Sequence, residues 1–248
     1  MADLTQQHLT AIEQHSAGFA AATRDNLDAD VEHCPGWTVA DLVRHLTDVH
    51  WFWGTIAEER LTAPPDEARR PARSPREGLV DAFEAGARRL VDVLAGADQR
   101  DPVWTWAPAR QEIAFITRHQ VQEAAVHHWD AVHAAGGSLD ISVPVAVDSI
   151  EEFLTYSVSS EADPADPARP ALEGRFVLRA ADADVAWTVS DGSVPGTVRF
   201  ERADHDRLPT LTAGASDLLL WLYGRARLDT GPVPEDLVGR FRALCFTD

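Results

Sequence analysis

The chain has 248 residues, 45% of them hydrophobic, enough to bury the core of one large domain or two modest ones. Its net charge of −18 argues against phosphate backbones and anionic lipid surfaces, so neither nucleic acid nor a membrane is expected as a partner. All 22 basic residues are arginine, which excludes Schiff-base chemistry on a lysine. The two cysteines, Cys34 and Cys245, sit near opposite ends and form no CxxC pair, so a reducing, cytoplasmic compartment is expected. The first residues lack an apolar signal core, and no apolar run approaches the roughly 20 residues that cross a bilayer.

Helices are predicted through residue 135 or so. In "LTQQHLTAIEQHSAGFAAATR", Leu9, Ile12, Phe19 and Ala22 recur at helical spacing. "CPGWTVADLVRHLTDVHWFWGTIAEERL" opens on a Pro-Gly turn, with Thr38 as N-cap and Asp41 completing an approximate capping box. Leu42, Val43, Leu46, Val49, Phe52 and Trp53 continue its apolar stripe. "APPDEARRPARSP" reads as a loop, "REGLVDAFEAGARRLVDVLAG" as a third amphipathic helix, and "ADQRDPVWTWAPAR" as a connector. A fourth helix covers "ITRHQVQEAAVHHWDAV" and stops at "AAGG". The pattern changes near residue 140. A helix entered through Pro144 is followed by proline-rich "DPADPARPALEG", expected to be exposed, and by alternations typical of strands in "GRFVLRAAD", "VAWTVSDG" and "GTVRFER". Asp191-Gly192 is a turn signal, and "PTLTAG" a further short strand. "SDLLLWLYGRA", with Ser216 as N-cap, and "PEDLVGRFRALCF" close the chain as helices.

The fourth helix is rich in titratable groups. Glu123 and His127 are four apart and share a face, with His119 one turn earlier. His128 and Asp130 point elsewhere, although Asp130, three residues past His127, can lie beside it. A carboxylate and an imidazole at this spacing can chelate one divalent ion, although an interhelical ion pair has the same signature. A catalytic zinc usually takes three protein ligands, so one more must come from another helix. His45 and His50 on the second helix are available. His45 falls within the apolar stripe, so its ring should face the bundle interior. Imidazole and carboxylate together suit Zn²⁺ and also accept Ni²⁺ or Fe²⁺.

"CPGWTVADLVRHLTDVHWF", followed some seventy residues later by "TRHQVQEAAVHHWDA", resembles the DinB-like four-helix bundle and, more narrowly, the mycothiol-dependent maleylpyruvate isomerase family. "GASDLLLWLYGRARL…FRALCF" resembles that family's small second domain, similar to sterol-carrier folds. The fold class expected is therefore α plus α+β. A DinB-like metal-binding bundle would span 1–140, and a smaller α+β, sterol-carrier-like domain 141–248. The resemblance implies His45, Glu123 and His127 as metal ligands, the same three residues that spacing suggests. It also marks Asp130 as a polar active-site residue and Arg225, in "LYGR", as an arginine facing the substrate.

In family terms the implied reaction uses mycothiol as cosubstrate. Its thiolate adds to the double bond of a small electrophile such as maleylpyruvate, a single bond rotates, and the thiolate leaves. A related enzyme would transfer the thiol to another electrophile. Blander roles stand beside these. Asp130 is equally read as a solvated or arginine-paired residue, and Arg225 as a cation at a helix C-terminus. Cys34 reads as a small turn residue, with a nucleophile or soft metal ligand as its other reading, Cys245 as core, and His119 as a surface residue, one supporting a ligand, or a spare ligand. Trp51, Trp53, Trp104 and Trp106 are expected to pack the bundle, one or two of them lining a pocket mouth. The alternative function is a non-catalytic, metal-containing protein that binds a small molecule or lipid, or regulates a protein partner.

Overall fold

The computed structural model describes residues 2–159 and 169–246. The chain divides into two compact units, Met1–Asp140 and Ile141–Asp248. The first holds four long helices, α1 (Ala2–Thr23), α2 (Val39–Glu59), α3 (Leu79–Gly96) and α4 (Ile113–Ala134). α1 packs on α4 and α3, and α2 packs on α3 and α4, which closes the bundle. Phe19 from α1, Leu42, Val43 and Leu46 from α2, and Phe83 from α3 are buried in one core cluster.

The start of α2 is set by the turn before it. Pro35 and Gly36 occupy a turn closed by the Trp37 N–H on the Cys34 carbonyl at 2.9 Å, and Gly36 takes φ +83°, which a side chain would strain. Thr38 then caps the helix as its spacing to Asp41 predicts. The Thr38 hydroxyl accepts from the Asp41 N–H, and the Asp41 carboxylate accepts from the Thr38 N–H at 3.0 Å. Asp41 is held below the usual carboxylate range, chiefly by the Thr38 hydroxyl and N–H. α4 ends where the "AAGG" signal stands, with Gly136 at φ +76°.

The second unit contains α5 (Val143–Tyr156), with Pro144 in its first turn, and a sheet of β1 (Arg175–Ala180), β2 (Val185–Asp191), β3 (Val198–Glu201) and β4 (Thr210–Ala213). The strand order is β3-β2-β1-β4. β2 pairs antiparallel with β1 and with β3, whereas β4 runs parallel to β1, Leu178 opposite Leu211. α6 (Ala215–Leu222) packs on α5 and β1, and α7 (Glu235–Leu244) sets Phe241 against Phe176 of β1 and Trp221 of α6. Trp187 at the middle of β2 is fully buried, its indole N–H donating to Glu151 at 3.2 Å.

Two local expectations are corrected. Gly214, not Ser216, is the N-cap of α6. Ser216 lies inside the helix because its hydroxyl is used elsewhere, accepting the Ile141 N–H at 3.0 Å. In "DPADPARPALEG", residues 163–168 lie outside those described, and Leu172, expected to be exposed, is fully buried.

Buried histidines stabilise the bundle only while neutral. His50 on α2 packs against Phe83, its Nδ1 without a hydrogen-bond partner, and burial pushes its pKa down to about 4. His15 on α1 meets His128 on α4 with their Nδ1 atoms 3.1 Å apart; burial lowers both, His128 to about 4. Gly18 makes room for that ring, since a Cβ there would lie 2.2 Å from His128 Cε1. The unfolded chain binds protons at His50 and His128 below about pH 6.5, whereas the folded chain resists until near pH 4. Stability is therefore fully present above pH 6.5 and falls as the pH drops through this window, by up to ~1.4 kcal/mol per pH unit for each group. Chemical denaturation of His50→Leu should give a shallower loss between pH 6.5 and 4 than the parent chain; equal slopes would refute the assignment.

Candidate metal centre

α2 and α4 meet at His45 and Glu123, 78 residues apart in sequence, with His127 one turn beyond Glu123. On α2, burial of Leu42, Val43 and Leu46 fixes the helix rotation and leaves His45 at the margin of the core, about a third exposed. On α4, burial of Ile116, Ala124 and Ala125 turns the adjoining face, with Glu123 and His127 one turn apart, toward His45. His45 Nε2 lies 3.0 Å from Glu123 Oε1, and His127 Nε2 lies 3.7 Å from the same oxygen. The donor atoms of all three residues lie within 4.8 Å of one another. Ligands about 2 Å from a tetrahedral zinc stand roughly 3.3 Å apart, so small side-chain movements suffice to take an ion.

Hydrogen bonding behind the site decides which nitrogen faces it. His127 Nδ1 is 2.9 Å from Asp130 Oδ2, and the Asp130 side chain is wholly buried. An ionised carboxylate only accepts, so Nδ1 carries the proton and Nε2 presents its lone pair. That lone pair faces the Glu123 carboxylate across 3.7 Å. Two acceptors opposed in this way repel, and a cation between them converts the repulsion into coordination. The donor set thus fits a divalent ion of the zinc class. Burial alone would raise the Glu123 carboxyl, but the His45 hydrogen bond and, while the imidazoles are protonated, the charges of His127, His45 and His119 prevail and hold it at about 2. The carboxylate is a ready ligand at any physiological pH.

Of the three residues, His45 lines a neighbouring cavity. A hollow of about 610 Å³ is lined by His45, Trp37, Phe52 and Trp53, and by Arg44, Arg70 and Arg73. Asp48 Oδ2 holds Arg70 at 2.9 Å and Arg73 at 3.0 Å, while Arg44 pairs with Asp41 at 2.9 Å. Arg70 also lies 5.2 Å over the Trp51 ring, and its buried Nε has no hydrogen-bond partner. A second hollow of about 440 Å³, between α2, α3 and the loop after α2, shares Arg44, Asp48, Arg70 and Arg73.

These residues lie within a recognisable family. The family model for the mycothiol maleylpyruvate isomerase N-terminal domain matches residues 9–132. The chain belongs to that family. The matched segment contains His45, Glu123, His127 and Asp130 and excludes Arg225. A solved structure described as the crystal structure of the mycothiol-dependent maleylpyruvate isomerase shares the fold, with a TM-score of 0.60 and 14% identity over 93% of this chain and 95% of that one. No curated protein matches the chain. The mycothiol maleylpyruvate isomerase fold thus extends over both units, an α bundle followed by a smaller α+β part.

Against this family frame the other sequence candidates separate. His50 is turned away from His45 toward Phe83 on α3. His128 faces α1, as its helical position predicts. His119, for which a surface position was one expectation, is buried beside Trp53, Phe115 and Trp106, with Gln122 Nε2 3.1 Å from its Nδ1. Aromatic packing from the connector and α2 covers the face of α4 that sequence left open. Trp53 packs in the core and Trp106 is exposed. Cys34 sits in the predicted turn, yet its Sγ lies within 4.8 Å of His127 and Asp130 donor atoms. Cys245 is partly buried, and burial pushes its thiol up to about 12. Arg225 belongs to the second unit, where it follows α6, donates to the Tyr223 carbonyl at 2.8 Å and lies 5.8 Å over the Tyr223 ring.

Sequence reasoning missed Arg44, Arg70 and Arg73. The last two sit in a charged, proline-rich loop whose composition predicts only exposure; no periodicity ties them to His45. Asp130→Asn should weaken Zn²⁺ binding about 10–100-fold, as loss of a carboxylate behind a ligating histidine does. Competition with a chromophoric chelator measures this, and unchanged affinity would remove Asp130 from the site.

Proposed function

We propose that the chain is a metal-dependent enzyme that uses mycothiol to isomerise a small anionic electrophile of the maleylpyruvate class, or to transfer the thiol to one. The observation that carries this reading is the convergence of His45, Glu123 and His127, with Asp130 behind, inside the segment that matches the family. His45, Glu123 and His127 are the proposed ligands, and an ion with three protein ligands keeps a position open. Bound there, Zn²⁺ would lower the pKa of a thiol and hold its thiolate.

The remaining roles fall to the chain itself. Asp130 keeps the proton on His127 Nδ1 and the Nε2 lone pair directed at the site. Arg44, Arg70 and Arg73 set positive charge along the cavity wall, where a carboxylate substrate would dock by charge-assisted hydrogen bonds. Trp37, whose ring lies 5.2 Å from that of His45, and Phe52 supply apolar wall. In the isomerisation, the thiolate sulfur bonds to one alkene carbon, and the electron pair moves onto the conjugated carbonyl. The former double bond rotates, and the pair returns to expel the thiolate, so no atom is gained or lost.

Arg225 is proposed as a substrate-facing arginine whose guanidinium also serves the C-terminal end of its own helix. The non-catalytic alternative finds no specific support among the described residues.

Metal analysis and kinetics test the reading together. His45→Ala, Glu123→Ala and His127→Ala should each lose bound Zn²⁺ and mycothiol-dependent turnover of maleylpyruvate. Metal content unchanged in all three would place the ion elsewhere. Arg73→Ala, on the exposed side of the cavity, should keep its metal and raise KM roughly tenfold or more, the worth of one charge-assisted hydrogen bond. Arg225→Ala with unaltered kinetics on a dicarboxylate would exclude that residue from the mechanism.

A further inference from the structure

We propose that Glu32, His33 and His133 form a second binding site for a divalent ion of the zinc class, on the surface of the first unit. Their donor atoms all lie within 4.8 Å of one another. His133 Nε2 is 2.9 Å from Glu32 Oε2, and these side chains are 40% and 68% exposed, open to ions in solution. The set of two imidazoles and a carboxylate has the composition of the inner centre and shares no residue with it.

An exposed Glu–His ion pair contributes little by itself and is common on protein surfaces. Three features go beyond one. First, the rings are held in place. The His133 ring stacks on Trp129 at 4.6 Å and 12°, and His33 lies 5.7 Å from both Trp129 and His133. Fixing two imidazoles before an ion arrives removes much of the rotamer entropy that capture costs. Second, the backbone is fixed. Glu32 and His33 sit in a loop closed by the Val31 N–H on the Trp37 carbonyl at 2.9 Å and the Cys34 N–H on the Val31 carbonyl at 3.0 Å. Third, the electrostatics favour a cation. His133 lies in the last turn of α4, where the helix presents its negative end, and the whole chain carries a net charge of −18. The third donor group, Cys34 with His127 and Asp130, shares His127 with the inner centre and carries no separate site.

Zn²⁺ alone is the probe, added to the full-length protein at micromolar concentration and measured by equilibrium dialysis with metal analysis. The parent chain should bind one equivalent that His33→Ala and His133→Ala both lose, while the ion lost in His45→Ala is retained. Glu32→Gln should weaken that equivalent tenfold or more. Cu²⁺ gives a local readout, because an ion on His133 would quench Trp129. Measured in a His45→Ala background, where Cu²⁺ at the inner centre no longer quenches Trp37, the quenching should disappear on adding His133→Ala, and on adding Trp129→Phe it should disappear while Zn²⁺ still binds. Zinc content and Cu²⁺ quenching that are the same in the parent, His33→Ala and His133→Ala would overturn the proposal, as would binding seen only at millimolar Zn²⁺. Failure of the inner centre reads differently, as a zinc content that His45→Ala leaves unchanged while His133→Ala lowers it.

Discussion

Much of the bundle's chemistry depends on where one carboxylate is held. Glu123 is mostly shielded from water, 20% exposed, between an imidazole from α2 and another one turn along its own helix. Taking a lone carboxylate out of water costs several kcal/mol, and neutral partners recover only part of it. His45 offers a hydrogen bond at 3.0 Å, whereas the Nε2 of His127, with Asp130 holding the ring's proton on the far side, offers only a lone pair. The surroundings therefore keep Glu123 ionised but do not satisfy it. A positive charge at the meeting point of the three groups resolves that imbalance, which is why the arrangement reads as a cation site and not as an ordinary ion pair between helices.

The arginines at the cavity pose the opposite problem, positive charge on a strongly acidic chain. Their partners explain how they stay in place. Asp48 takes Arg70 and Arg73 on a single oxygen, and Asp41, already fixed as the capping residue of α2, takes Arg44. Half-exposed pairs of this kind contribute at most ~1 kcal/mol each to stability. Their consequence is positional. Arg70 is held further by Glu67 at 2.5 Å, whereas Arg44 and Arg73 each spend one donor on an aspartate and keep other N–H groups for an anion in the hollow beside His45. A chain whose long-range field repels anions can thus bind one locally, since screening limits that field to about 10 Å at moderate salt.

What the sequence made readable follows from what periodicity can carry. The stripe from Leu42 to Trp53 placed His45 near the core, and the four-residue spacing of Glu123 and His127 placed both on one face. The capping box at Thr38 was visible because its parts are local. The family resemblance joined His45 to residues 78 positions later, which spacing alone could only suggest. Contacts set by tertiary packing were not readable. His119 is a polar residue at a helical position open in sequence, and it is buried because Trp53, Trp106 and Phe115 close over it. Arg70 and Arg73 belong to a loop whose charge and prolines predict only solvation. In the second unit, alternation revealed the strands but not that β4 pairs parallel with β1, since pairing direction leaves no trace in a single strand.

The fourth helix also explains why an inner and an outer donor group coexist. Glu123, His127, Asp130 and His133 follow at steps of four, three and three residues, so they stay near one face while rising ~15 Å along the axis. The loop before α2 runs beside the later part of that row and adds Glu32, His33 and Cys34 to it. Burial differs between the two ends of the row, with Glu123 and His127 20% and 12% exposed and His133 and Glu32 40% and 68%. Affinity should grade with it, because ligands at the exposed end are hydrated and screened while those at the inner end are preoriented and partly dry. Asp130 sits between the two ends, wholly buried and committed to His127 Nδ1. That hydrogen bond occupies His127 Nδ1 and leaves Nε2 directed at Glu123, so a buried carboxylate stands between the two donor groups.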